Sequence, residues 1–294
     1  TDSDTTSNHP NSILARGQRR LDMEIAPTRA SPASGRPATP NDAHTDSKVR
    51  FLPERARAQP DRGPMVYFSL AGIQASTIPT PLTAHAALTG PHRHEWQLSM
   101  QREMDSLRKF NAFEFASLPR GRKIINMKWV FRVKQRENGE VLKLKSRLTC
   151  KGFTQRPGID YLEVYAPVAS YTTIRMVMAH AALHDWELEQ MDVDSAFLNA
   201  KLDVPIYCKP PPHLKAPPGM CIKLLRALYG LKQASRCFNI LIHNHLIENC
   251  GMKCSKNDLC LYTKNDGIYK VVMCIFVDDV LLSTPDLKSM AWIK

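Results

Sequence analysis

KVVMCIFVDDVLLST, residues 270–284, decides how the rest of the chain is read. An apolar run enters, Asp278 and Asp279 interrupt it side by side, and residues 280–282 resume it. Both flanks are rich in Val, Ile, Leu and Phe, which suit a pleated, half-buried surface, so the stretch predicts a β-hairpin with the aspartates at or beside its turn. An ionised carboxylate removed from water without a partner is strongly disfavoured, so two of them between buried strands must reach solvent, pair with cations or hold a metal. Aspartate is also common in tight turns, and on that simpler reading the doublet is a solvated turn.

Moving outward, WELEQMDVDSAFLN at residues 186–199 begins as a strand and sets Asp192 and Asp194 among Met191, Val193, Ala196 and Phe197. An acid there is by itself a strand-end residue. Further back, Trp129, Phe131 and Val133 alternate with Lys128, Val130, Arg132 and Lys134. Beyond Asn138-Gly139, Leu142, Leu144 and Leu148 alternate with Lys143, Lys145 and Arg147. Period-two alternation on both sides of Asn-Gly predicts a hairpin whose second strand has one apolar and one basic face. Outward lysines are ordinary on a half-exposed sheet, but a uniformly cationic face also suits phosphate contact.

Helical spacing of Trp96, Met100, Met104 and Leu107 predicts a structural amphipathic helix over 95–109. Thr172 or Thr173 is placed to cap a second helix with Ile174, Val177, Met178, Ala181 and Ala182 buried and His180 exposed. KPPPHLKAPPG at 209–219 must be a loop, because proline lacks the donor that helices and sheets need. In ALYGLKQASR at 227–236, Tyr229-Gly230 marks a bend with Lys232, Gln233 and Arg236 crowded beside it. Phe238, Leu241, Ile242 and Leu246 then mark a helix closing near Gly251. Residues 1–80, rich in Ser, Thr, Pro, Asp and Arg, bury too little apolar surface to offset ordering entropy and read as a disordered linker. RGQRR within it fits either a localisation signal or solvated charge.

The 294 residues are 43% hydrophobic, enough for a core, and carry a net charge of +12 with a pI near 9.4. That charge favours a polyanionic partner without separating nucleic acid from a membrane surface or an acidic protein. No apolar run nears the roughly 18 residues a spanning helix needs, and the start lacks a secretory pattern, so no membrane association is expected. A first residue of Thr rather than Met points to a fragment or processed product. Eight scattered cysteines without a C-x-x-C pair fit reduced thiols and an intracellular, cytoplasmic or nuclear, location. His243, His245, Cys250, Cys254 and Cys260 allow a zinc reading, but their spacing matches no standard finger and buried cysteine is an ordinary small apolar residue.

An isolated aspartate at a strand end, an Asp-Asp hairpin and a cationic hairpin with a Lys/Gln/Arg turn together suit phosphoryl transfer on a polyanion. Carboxylates hold two hard cations, while Lys and Arg neutralise the triphosphate. The blocks KWVFRVK from Lys128, SRLTCKGFTQRPGIDYLEVYAPV from Ser146, QMDVDSAFLN from Gln190, LYGLKQASR from Leu228 and FVDD from Phe276 stand in the order of a known family. Across residues 81–294 the chain resembles the reverse transcriptases of copia-type LTR retrotransposons.

The resemblance implies an α+β right-hand polymerase, here fingers and palm with an antiparallel sheet and packed helices, following the disordered segment. Its reaction is RNA-directed DNA synthesis with two Mg²⁺ ions, or Mn²⁺ in their place. Its implied partners are an RNA template, a DNA primer, the RNA–DNA hybrid, dNTPs and the rest of a longer polyprotein. The catalytic and metal-binding carboxylates fall on Asp192, Asp278 and Asp279, with Asp279 orienting the site more than binding metal. Phe197 falls where the sugar 2′-hydroxyl is screened, Gln233 where nucleotide and template are contacted, and Lys145 and Arg147 where the triphosphate is held. Some residues depart from the family. Ala200 replaces a glycine and so predicts strain in a turn that wants positive φ. Ser235 replaces Pro, Cys237-Phe238-Asn239 replaces a Trp-Tyr pair, and FVDD replaces YVDD. The chain also stops at Lys294, before a thumb or RNase H region, so the alternative is a remnant that binds nucleic acid without polymerising. A nuclease would leave the basic hairpin and LYGLKQ without a role.

Overall fold

Alternating burial builds the sheet that carries the aspartates. In the computed structural model, which describes residues 51–53, 70, 72–211 and 214–294, the expected hairpin is present. β11 (Lys270–Phe276) turns back as β12 (Asp279–Thr284). Val271, Met273, Ile275, Val280 and Leu282 are buried on one face, and Cys274 and Ser283 are buried on the other. β6 (Glu187–Val193) pairs with the free side of β12, and the backbone of β1 (Phe51–Pro53) pairs with β6. β10 (Leu261–Asn265) and β9 (Lys253–Cys254) follow beyond β11. All neighbours in this six-stranded sheet, ordered β1-β6-β12-β11-β10-β9, run antiparallel.

A second sheet joins β2 (Phe113–Ala116), β8 (Cys221–Arg226), β7 (Lys201–Cys208) and β3 (Ile124–Ile125). Its β3–β7 pair is parallel, so the sheets are not antiparallel throughout. The cationic hairpin stands as its own two-stranded sheet, β4 (Met127–Gln135) with β5 (Val141–Cys150). Gly139 takes the positive φ of 81° its turn requires.

α2 (Arg93–Lys109), which follows α1 (Ala84–Thr89), packs on β5 through Trp96, Met100, Met104 and Leu107. Trp96 meets Phe131 edge-on at 5.2 Å between centroids. α3 (Tyr171–His184) is capped by Ser170, whose Oγ accepts from Thr173 N at 3.0 Å, rather than by Thr172 or Thr173 themselves. Its buried face is Thr173, Val177 and Ala181, whereas Met178 is 49% exposed and Ala182 is exposed as well. Asp258 accounts for the earlier start: its carboxylate accepts from Ser170 N at 3.1 Å and from Thr173 Oγ1, tying the cap to the loop before β10.

α4 (Ala196–Asn199) follows β6 directly, and α5 (Ala234–Asn244) runs on through a π-turn that buries Leu246 before Gly251. α6 (Leu287–Ile293) closes the described chain. Leu70 and Ile78 are buried ahead of residue 81, where order was expected to begin. Of the expected linker, residues 51–53, 70 and 72–80 are described, and the remainder, RGQRR included, lies outside the described residues. No helix among the described residues is long and apolar enough to cross a membrane.

Candidate active site

The end of β6 and the β11–β12 turn meet at the strand ends of the large sheet. Cα register sets Asp192 directly opposite Asp279, and Val193 N donates to Asp278 O at 2.9 Å. Directly opposed residues hold their Cβ atoms about 5 Å apart on the same face. Asp192 thus meets a doublet that lies 86 and 87 positions further along the sequence, at the ends of two interior strands, and each of the three acids is half-buried.

The turn is tight. Phe276 pairs with Asp279, leaving Val277 and Asp278 as its two central residues. Val277 has φ 57°, the positive value that the first central position of a type II′ turn needs and that a β-branched side chain resists. Packing offsets the strain, because the Val277 side chain lies partly buried against the core.

Electrostatics follow from the crowding. Burial raises the Asp278 carboxyl above the ordinary aspartate range, and the charges of Asp192 and Asp279 raise it further, against its own backbone N–H and Arg147. Asp279 Oδ1 accepts from Gln190 Nε2 at 3.2 Å. Among the described residues no group of three or more His, Cys, Asp or Glu side chains is arranged to hold a metal ion, the weighed zinc set included. His243 Nδ1 instead lies 3.0 Å from the Tyr262 hydroxyl. The aspartate cluster nevertheless has the donor chemistry of a hard-cation site: adjacent carboxylates whose mutual repulsion a divalent charge would relieve.

Opposite in sign is the outer face of the cationic hairpin. Its register sets Arg132 against Lys145 and Lys134 against Lys143, like charges directly opposed across the strands. Such pairs are destabilising, so this face is not explained by the stability of the hairpin. Burial lowers the Lys145 ammonium to about 8, helped by Arg147, Lys143 and Lys134 and opposed by Glu103. Glu103, on α2, accepts from Leu148 N at 3.1 Å. Burial raises its carboxyl, with that hydrogen bond, Arg147 and Lys145 opposing.

Tyr229 bridges the cationic hairpin and Phe197. The Arg147 guanidinium lies 4.2 Å from its ring centroid, and Phe197 meets the same ring at 4.6 Å and 64°. Sequence reading singled out Tyr229 only as part of a bend, because a turn tyrosine carries no pattern that marks it.

The bend itself is pressed against the end of β5. Cys150 N donates to Tyr229 O at 2.9 Å, and a Cβ on Gly230 (φ 89°) would overlap Cys150 O. A Cβ on Gly152 would in turn overlap Gly230 O, so both glycines are required for close backbone approach.

Gln233, expected beside nucleotide and template, is fully buried. Its Oε1 accepts from Gln155 Nε2 at 2.9 Å and its Nε2 donates to Asp160 O at 3.0 Å, which fastens residues 155–160 to the bend. Ala200 does not occupy a strained position: its φ is −87°, in the extended region, and the left-handed residue nearby is Ser195 at φ 51°. Phe238 keeps an aromatic behind Phe197, at 6.4 Å, despite the changed sequence at 237–239.

Comparison with known proteins identifies the family of the chain. Residues 110–294 match the family described as reverse transcriptase (RNA-dependent DNA polymerase). The retrovirus-related Pol polyprotein from transposon TNT 1-94 of Nicotiana tabacum is 32% identical over 82% of the chain, which spans 18% of that polyprotein. That from transposon RE1 of Arabidopsis thaliana is 38% identical over 55% of the chain and 11% of its own length. The transposon Ty1-H Gag-Pol polyprotein of Saccharomyces cerevisiae is 31% identical over 67% of the chain and 10% of its own length. The chain therefore spans less than a fifth of these relatives, and it belongs to the reverse transcriptase family in its copia-type transposon form.

Proposed function

We propose that the chain carries the fingers and palm of an RNA-directed DNA polymerase, within a longer polyprotein, that extends a DNA primer on an RNA template. The observation that carries this reading is the β6–β12 register, which sets Asp192 against Asp279 beside the Asp278 turn. Asp192 and Asp278, with Asp279 orienting them, would hold two divalent cations, Mg²⁺ or Mn²⁺, which supply charge neutralisation and acidify the primer 3′-hydroxyl.

The overall change joins that 3′-oxygen to the α-phosphorus of a dNTP and releases pyrophosphate. Lys145 and Arg147 bind the triphosphate, and the like-charge register of their face is relieved when phosphate enters. Phe197 closes the sugar side against a 2′-hydroxyl. Gln233 acts at one remove, by holding residues 155–160 and the 228–236 bend together. The remaining basic face neutralises the backbone of the RNA–DNA hybrid.

Primer extension on an RNA template with dNTPs and Mg²⁺ tests this. Asp192→Asn and Asp278→Asn should each lower incorporation by ~10³-fold or more, the scale of a lost metal contribution. Variants as active as the parent would overturn it. Salt-sensitive RNA binding by a folded parent without incorporation would select the non-polymerising alternative.

A further inference from the structure

Tyr229 touches groups that the proposed function treats separately. Its ring contacts both the Arg147 guanidinium, at 4.2 Å, and the Phe197 ring, at 4.6 Å. Its hydroxyl is pushed above the ordinary tyrosine range, first by burial and then by Asp278 and Asp192, against the opposing Arg147. The phenol thus lies within electrostatic reach of two of the site's carboxylates.

Nor can the residue drift. Its carbonyl accepts from Cys150 N at 2.9 Å, and the Gly230 backbone after it is packed on Cys150 O. Phe197 is only 9% exposed and rests between Tyr229 and Phe238, so removing the tyrosine leaves it one aromatic neighbour of the two. Gln233 has both amide groups engaged inside the protein, which leaves Tyr229 as the bend residue whose ring adjoins Phe197 and Arg147.

Resting on the polymerase reading, we infer that Tyr229 is a positioning residue that couples sugar selection to triphosphate binding: it fixes Phe197 where a 2′-hydroxyl is excluded and seats Arg147 over the same ring. Discrimination between deoxynucleotides and ribonucleotides is then a property of the Arg147–Tyr229–Phe197 stack. An aromatic or cation–π contact of ordinary strength corresponds to a change of up to about ten-fold.

Single-nucleotide incorporation, measured with a dNTP and its matching rNTP, tests the coupling in the parent, Tyr229→Phe, Tyr229→Leu, Arg147→Lys and the Arg147→Lys/Tyr229→Leu double variant. Tyr229→Phe keeps the ring and should hold the dNTP-to-rNTP preference within about two-fold. Tyr229→Leu should erode that preference about ten-fold and raise KM for the dNTP. Arg147→Lys, which keeps the charge and loses the planar stack, should move both quantities the same way. The double variant should be no worse in preference than Tyr229→Leu alone, because a shared stack is lost once.

An active parent whose preference is unchanged in Tyr229→Leu, or a double variant whose losses simply add, would overturn the coupling and leave the polymerase reading standing. A parent that incorporates neither nucleotide would overturn both. Thermal midpoints accompany every variant. Should Tyr229→Leu fail to fold, Arg147→Lys leaves the bend intact and decides: a shifted preference supports the coupling and an unshifted one ends it.

Discussion

The aspartate cluster and the cationic hairpin both oppose like charges across paired strands, yet they are held in different ways. At the cluster, Asp192 faces Asp279 inside a six-stranded sheet whose Met191 and Val280 are buried beneath them. In the hairpin, Arg132 faces Lys145 on a sheet of two strands. A lone two-stranded ribbon is marginal, so the hairpin needs outside support.

α2 supplies it. Ser99 Oγ donates to Leu144 O at 3.0 Å and accepts from Ser146 N at 2.8 Å, and Glu103 accepts from Leu148 N. One helical turn of four residues rises about 6 Å, close to the roughly 6.6 Å of two strand residues, so side chains at 99 and 103 can serve backbone groups at 146 and 148. The cluster draws its rigidity from strands, the hairpin from a helix acting in place of one.

The junction where the hairpin meets the bend is where the contrast breaks most severely. Gly230→Ala forces a Cβ into Cys150 O at positive φ and should destabilise the protein by ~4 kcal/mol or more, read as a collapse of the urea midpoint or failure to fold. An unchanged midpoint would mean that hairpin and bend are not packed as described. Ser99→Val, which removes the bridging hydroxyl and leaves Ser146 N and Leu144 O unserved, should be milder, about 2 kcal/mol in the same measurement. Loss confined to hairpin amides in hydrogen exchange would sharpen the division between the two regions.

The smallest effect separates them by sign. Lys145 has its folded value lowered to about 8 from 10.5, so the unfolded chain binds more protons between these values and stability should rise with pH across that window. Asp278 is raised, so its contribution is complete below the ordinary aspartate value of 3.8 and declines as pH rises through its folded value. Thermal midpoints against pH should lose the alkaline rise in Lys145→Met and the acid-side fall in Asp278→Asn. Each change is on the order of 1 kcal/mol or less, because both groups keep contact with solvent.

Much of this was legible in residue order. Alternation around Asn138-Gly139 and the apolar, Val- and Leu-rich runs flanking the aspartate doublet located both hairpins, and the Trp96, Met100, Met104 spacing located the helix that packs on one of them. What escaped depended on partners remote in sequence. Ser99 and Glu103 are polar on a helix read by its apolar residues, and the backbone groups they serve lie about 45 positions away. The resemblance sets Gln233 beside nucleotide and template, and nothing in residue order marks its partners Gln155 and Asp160, which are 78 and 73 positions removed. Met178 was misread as buried because helical spacing fixes a stripe without fixing its edges. Ala200 was expected to be strained from a family habit, whereas the local backbone needs its left-handed residue at Ser195.

The helix beside β5 has a consequence for what the hairpin can meet. An exposed strand border is a standing invitation to another polypeptide, which can add itself as one more strand and seed aggregation. Here Leu144, Ser146 and Leu148 are already occupied along that border by Ser99 and Glu103. Along the β5 border, the hairpin is therefore closed to a foreign strand while its positive face stays open.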